Sequence, residues 1–134
     1  MLPSKCAIIG VPMDLGASRR GVDIGPSAIR VTNILNRIQE LEWDAVDMGN
    51  IATPIPEECE IGNASQKFAP YIHKVCNHLW QKVYNTLKHE RLPIVLGGDH
   101  SIAMGSVAGI AKFYQKRGPI GLLWIDAHGD MNTP

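Results

Sequence analysis

Asp126, His128 and Asp130 stand at alternate positions behind an apolar run, Ile120-Gly121-Leu122-Leu123-Trp124. The run reads as a buried strand. Side chains on an extended chain alternate faces, so the three polar groups point the same way, at intervals of about 6.6 Å. Two carboxylates and an imidazole on one face make a poor core. They repel and lose hydration unless a cation compensates them, which makes them a good metal site. The competing reading is an acidic loop that happens to follow a strand. Against it stands a second histidine-bearing turn, Gly97-Gly98-Asp99-His100-Ser101, placed where an upstream strand should end.

Sites in parallel α/β sheets lie beyond the carboxyl ends of the strands. His100 follows one strand and Asp126, His128 and Asp130 follow the next. Neighbouring strands lie about 4.8 Å apart, close enough for their ligands to converge. Carboxylate and imidazole donors without thiolate suit manganese, iron or zinc better than copper. Two divalent ions carry more charge than two aspartates and a bridging hydroxide offset, so a two-metal site needs further carboxylates. A single ion is satisfied by these four residues with water. Gly97 and Gly98 let the backbone turn sharply beside His100, and Asp99 is placed to cap the helix that starts near Ser101.

The elements that must position these groups alternate along the chain. Lys5 to Val11 reads as a strand buried on both faces. Pro12 ends it, and a glycine-rich loop runs from Leu15 to Gly25. Pro26 suits the first turn of a helix. Apolar residues then recur at Ala28, Val31, Ile34, Leu35, Ile38 and Leu41, one face of a single helix. Trp43 to Met48 reads as a short second strand. Residues 49 to 67 show no period and are long for a structureless connection. A helix spans about Pro70 to His89, with Ile72, Val75, Cys76, Leu79, Val83 and Leu87 on its apolar stripe. Leu92 to Leu96 is the third strand. Ser101 to Lys116 is the next helix, with Ala103, Val107, Ile110, Ala111 and Tyr114 inward and Gly105 and Gly109 allowing close contact with the sheet. A fourth strand runs to Ile125. This alternation implies a mainly parallel sheet with helices on both faces, a three-layer α/β/α class.

Composition narrows the class of function. With 45% apolar and 19% charged residues the chain reads as a globular domain, and 134 residues suffice for one core. Thirteen basic residues balance thirteen acidic ones, so no basic excess points to nucleic acid or to an anionic membrane. Cys6, Cys59 and Cys76 form neither a zinc-like spacing nor a disulfide framework, which favours a reducing, cytoplasmic setting. The first eleven residues do not read as a signal peptide, and no apolar run approaches the length of a membrane span.

Gly97-Gly98-Asp99-His100-Ser101 and Asp126-Ala127-His128-Gly129-Asp130 resemble the first two signature motifs of the ureohydrolase family, which includes arginases, agmatinases, guanidinobutyrases and formimidoylglutamases. The segments Ile9-Gly10-Val11-Pro12-Met13-Asp14-Leu15-Gly16 and Arg20-Gly21-Val22-Asp23-Ile24-Gly25-Pro26-Ser27-Ala28-Ile29-Arg30 are similar to those of bacterial arginases. The resemblance implies an arginase-like fold and two Mn(II) ions per complete site. His100 and Asp130 bind one ion, His128 binds the other, and Asp126 bridges both. It implies hydrolysis of L-arginine to L-ornithine and urea by a metal-bridging hydroxide, with Asp130 assisting proton transfer to the leaving amine. Asn132 matches the position that binds the substrate's α-carboxylate, and an amide N–H donates readily to a carboxylate. The competing reading of Asn132-Thr133-Pro134 is a plain turn.

The resemblance further implies a small-molecule substrate and homo-oligomers, trimers or hexamers, at full length. Two alternatives stand beside it: another ureohydrolase, or a non-catalytic fragment with an incomplete metal site. A deacetylase with a related sheet and one metal fits the paired motifs less well. His73, His78 and His89 read as solvated, Cys76 as core, and Arg19 and Arg20 as structural or intersubunit residues. The family carries a third, Ser-x-Asp-x-Asp type motif well after the second, and the sequence stops at Pro134 without it. The expectation is therefore the N-terminal part of a longer catalytic domain, truncated after the strand ending near Ile125, with residues 1 to 134 alone not competent.

Overall fold

The computed structural model describes residues 4–129. Strand β1 (Lys5–Val11) is central, with β2 (Asp44–Asn50) on one side and β3 (Leu92–Gly97) on the other, all parallel. Its apolar residues explain the placement, because Cys6, Ala7, Ile8, Ile9 and Val11 are all fully buried. Only a strand paired on both edges and covered on both faces hides every residue in this way. The pairing with β2 carries one irregularity between Ile8 and Gly10, where the register moves from Asp47 to Asn50.

The odd-numbered face of β1 meets helix α3 (Ala69–Lys88). Ile9 and Val11 cluster with Met13, Leu15, Ile51, Val75, Leu79 and Val83. The stripe expected on α3 is the buried one, and His73, His78 and His89 are exposed. The even-numbered face meets helix α1 (Gly25–Val31). A Cβ on Gly10 would lie 2.8 Å from Nη1 of Arg30. Helices on opposite faces of the parallel sheet give the three layers expected of the class. Among the described residues, no helix is long and apolar enough to cross a membrane.

Three expectations need correction. The single helix over residues 26 to 41 is two, α1 and α2 (Ile34–Glu40). Thr32 Oγ1 donates to the Ile29 carbonyl at 2.8 Å, and Asn33 turns left-handed at φ 66°. Such local side-chain bonds compete with helix continuation, and asparagine tolerates that backbone region better than most residues. The apolar period therefore overstated the buried stripe, and Val31 and Leu41 are exposed.

Helix α4 (Ile102–Tyr114) packs on α3 rather than placing its two glycines against the sheet. A Cβ on Gly105 would meet the Cys76 carbonyl at 2.7 Å, and one on Gly109 the Trp80 carbonyl at 2.7 Å. Those two glycines are the buried residues of α4, while Ala111 and Tyr114, expected inward, are exposed. A one-sided apolar stripe says nothing about which neighbour it faces, whereas paired glycines mark where two backbones meet.

The fourth strand does not form within the described residues. Residues 120 to 125 make no ladder pairing, and Leu123 is 85% and Ile125 88% exposed. An apolar run becomes a strand only where an edge receives its backbone bonds and both faces are covered. Neither holds for this segment. The long stretch from residue 49 to 67 does hold a short element, the 3-10 turn Pro56–Glu58.

Arg30 ties α1 to the sheet. Its guanidinium donates from Nε to Asp47 Oδ2 at 2.7 Å, from Nη2 to Asp47 Oδ1 at 2.8 Å, and from Nη1 to Asn50 Oδ1 at 2.6 Å. The bond from Arg30 holds the Asp47 carboxyl below its ordinary range; partial burial opposes this, and the Gly49 N–H adds to it.

Asp47→Asn should lower stability by about 1–2 kcal/mol, the range of a well-aligned charged pair near the surface. Because the folded carboxyl titrates below the unfolded one, the pair's contribution is whole above the free aspartate pKa of about 3.9 and is lost as pH falls through the depressed value. Urea unfolding of both proteins should thus differ at pH 7 and converge in acid. Gly105→Ala should cost about 1–3 kcal/mol of overpacking, more than the ~1 kcal/mol that alanine gains in a helix. An unchanged or raised denaturation midpoint would show that the α3–α4 seam opens freely.

Candidate metal centre

The carboxyl ends of β1 and β3 meet at backbone contact distance. Gly98 sits at φ +34°, and a Cβ there would lie 2.6 Å from the Val11 carbonyl and from both N and O of Met13. A Cβ on Gly25, the first residue of α1, would lie 2.1 Å from the Gly97 carbonyl. The Gly97–Gly98 turn is thus held between the exit of β1 and the start of α1. The Asp99 N–H donates to the Met13 carbonyl at 2.8 Å. Gly98 meets the expected turn-maker role by contact with neighbouring backbone as well as by conformation, whereas a Cβ on Gly97 would meet the Ile102 side chain.

Asp99 does not cap α4 as expected, since the N-cap is Ser101 and has no side-chain cap bond; it binds within the turn and to a second loop instead. Its Oδ1 accepts from Ser101 N at 2.9 Å and from Ser101 Oγ, while its Oδ2 accepts from Gly16 N at 2.7 Å. The carboxylate is buried and joins the loop after β1 to the turn after β3. Ser101 spends its hydroxyl on this bond. A second buried carboxylate, Asp14, accepts from Arg20 Nη1 at 2.6 Å and from Gly21 N at 2.9 Å. Arg20 reaches on to Glu57 at 3.2 Å, so it braces the loop.

Three of the four expected ligands come together. His100 Nδ1 lies 2.7 Å from Asp126 Oδ2, and His128 Nδ1 lies 3.4 Å from Asp126 Oδ1. One carboxylate thus turns each oxygen to a different imidazole. The Asp126 side chain is 14% exposed, against 51% for His100 and 85% for His128. The pleat of a strand is not what aligns Asp126 with His128. Residues 127 and 128 bend, and the His128 N–H donates back to Asp126 Oδ1 at 2.8 Å. That backbone bond is the main reason the Asp126 carboxyl titrates below its ordinary range; partial desolvation opposes it, and the neighbouring imidazoles of His100 and His128 add to it. Asp130 and Asn132 lie outside the described residues.

The donor set is compatible with a divalent cation. Two ligand atoms each about 2.1 Å from one ion and at right angles to each other are about 3 Å apart. The His100–Asp126 and His128–Asp126 separations straddle that value. The set is also partial, since no group of three or more His, Cys, Asp or Glu among the described residues closes around a single point.

Two contributors escape a motif-based reading. Trp124 stacks on His100 with ring centroids 4.5 Å apart and planes 9° apart. It stands two positions before Asp126, and strict alternation would have put it on the same face. The Asp99–Gly16 bond, between loops far apart in sequence, has no local signal at all.

A sequence model of the arginase family matches residues 4–134. The chain is 44% identical to the arginase of Bacillus caldovelox over 128 residues, which is 95% of this chain and 42% of that protein. The crystal structure of arginase from Bacillus cereus superposes with a TM-score of 0.83 at 46% identity, covering 96% of this chain and 40% of that one. The native structure of the Bacillus caldovelox arginase gives 0.87 at 43% identity, covering 99% and 43%. The chain therefore spans about two fifths of the length of these relatives. Family match, identity along nearly all of the described sheet and helices, and agreement in fold point one way: this chain belongs to the arginase family.

Proposed function

We propose that the chain is the N-terminal part of an arginase-like catalytic domain, whose complete form hydrolyses L-arginine to L-ornithine and urea with two Mn(II) ions. The observation that carries this reading is Asp126, one carboxylate shared between the imidazoles of His100 and His128. A carboxylate in that position is suited to join two cations, with His100 on one side and His128 on the other. Manganese held there supplies a water acidic enough to serve as nucleophile near neutral pH.

The chain's own residues do the rest. His100 and Asp130 hold one ion, and His128 holds the second. By the family resemblance, Asp130 passes a proton to the leaving amine. Asn132 donates its amide N–H to the α-carboxylate of the substrate, a group that agmatine lacks, which favours arginine over decarboxylated guanidino substrates. Full-length protein is expected as a homo-oligomer, a trimer or hexamer.

The test compares urea release from L-arginine and from agmatine by the full-length protein loaded with manganese. Arginine should be the better substrate. Asn132→Ala should raise KM for arginine by the factor expected from losing a charge-assisted bond of about 1.5–3 kcal/mol. Unchanged arginine kinetics in that variant, or better turnover of agmatine by the parent, would overturn the assignment. Residues 1 to 134 by themselves supply too few carboxylates to balance two ions. Calorimetry on this chain should show weak uptake of one manganese and no urea release, and two tightly held ions with turnover would refute this division of roles.

A further inference from the structure

We infer that Asp99 is a positioning residue for His100, acting by clamping the turn that carries His100 onto the loop that follows β1. The inference rests on the metal reading above for its consequence, but its geometry is independent of it.

The two oxygens of Asp99 serve different partners. Oδ2 accepts from Gly16 N at 2.7 Å, and Oδ1 accepts from Ser101 N at 2.9 Å and from Ser101 Oγ. His100 therefore sits between two residues that are fixed to each other. On the other side, the Asp99 N–H is bound to the Met13 carbonyl. Its neighbour Gly98 is packed on the Met13 backbone. Three separate ties thus join one short turn to one short loop. The His100 side chain is half exposed, so burial does little to hold it. Its backbone contributes to the ring's orientation, as do Asp126 and the face of Trp124.

The clamp needs a carboxylate. An asparagine has one acceptor oxygen. If that oxygen serves Ser101, the amide nitrogen meets the Gly16 N–H donor to donor, and if it serves Gly16 the Ser101 donors lose their acceptor. The clamp can also be opened from the far side without touching the turn. A Cβ on Gly16 would lie 2.8 Å from Asp99 Oδ1 and 3.1 Å from Ser101 Cβ. Gly16 is exposed and not in the left-handed region, so Gly16→Ala wedges this contact without straining the backbone.

The experiment uses the metal-free and manganese-loaded full-length protein with Asp99→Asn and Gly16→Ala, each checked for native circular dichroism. In the metal-free parent, the His100 ring protons should be shifted upfield by the stacked Trp124, with assignment by His100→Gln. In both variants that shift should relax toward the value of a free histidine. Manganese affinity by calorimetry should fall about 10–100-fold, the usual consequence of loosening a ligand's support. An unmoved ring shift in a folded Gly16→Ala protein would overturn the inference, as would a relaxed shift with unchanged manganese affinity. A parent that takes up no manganese would instead sink the metal reading, while the ring shift would still decide whether Asp99 positions His100.

Discussion

Everything at the carboxyl edge of this sheet depends on backbone meeting backbone. The exit of β1, the Gly97–Gly98 turn and the first residue of α1 approach one another so closely that no side-chain carbon fits between them. Dispersion and the bond from Asp99 N to the Met13 carbonyl hold the contact. His100 leaves from this point, so its origin is fixed by atoms that have no rotamers to exchange. The hydrophobic layer beneath serves the same end. Ile9 and Val11 lock β1 against Val75, Leu79 and Val83 of α3, and α3 is held in turn by the glycine seam of α4.

The two halves of the candidate centre are built differently. His100 rises from rigid, glycine-packed backbone. Asp126 and His128 sit on an open segment, arranged by their own bend and by the contact of Asp126 with His100, on which Trp124 of the same segment stacks. A carboxylate that accepts a backbone N–H two residues on orders itself locally, whatever the segment's pairing. This is why Asp126 and His128 come together with His100 even though residues 120 to 125 make no ladder bonds.

Legibility in the sequence followed the same division. β1 and α3 were readable because each is an uninterrupted pattern with a single solution: a run of small and branched apolar residues, and a stripe of regular spacing. The turns that carry His100, Asp126 and His128 stood out because Gly97-Gly98 and Asp126-Ala127-His128 join unusual backbone needs to polar side chains behind apolar runs. The break at Thr32 and Asn33 was not, since it is a competition between local hydrogen bonds and helix continuation that periodicity does not weigh. The partner of Gly105 and Gly109 was not, because close packing leaves the same residues whichever neighbour is approached. The apolar run from Ile120 to Ile125 misled because hydrophobicity reports what a segment would bury, not whether an edge is there to pair with it.

The register of β1 with β3 has a kinetic meaning. Cys6 pairs with Leu92, and Val11 with Gly97, across most of the described chain, whereas α3, β3 and α4 follow one another directly. Contacts between distant segments form late, since loop entropy must be lost before they contribute. The helical pair joined by the glycine seam can gather early from neighbouring sequence. The meeting of β1 with the Gly97–Gly98 turn must close a much longer loop. His100 is therefore presented from a spot whose assembly costs more chain entropy than the helical pair does.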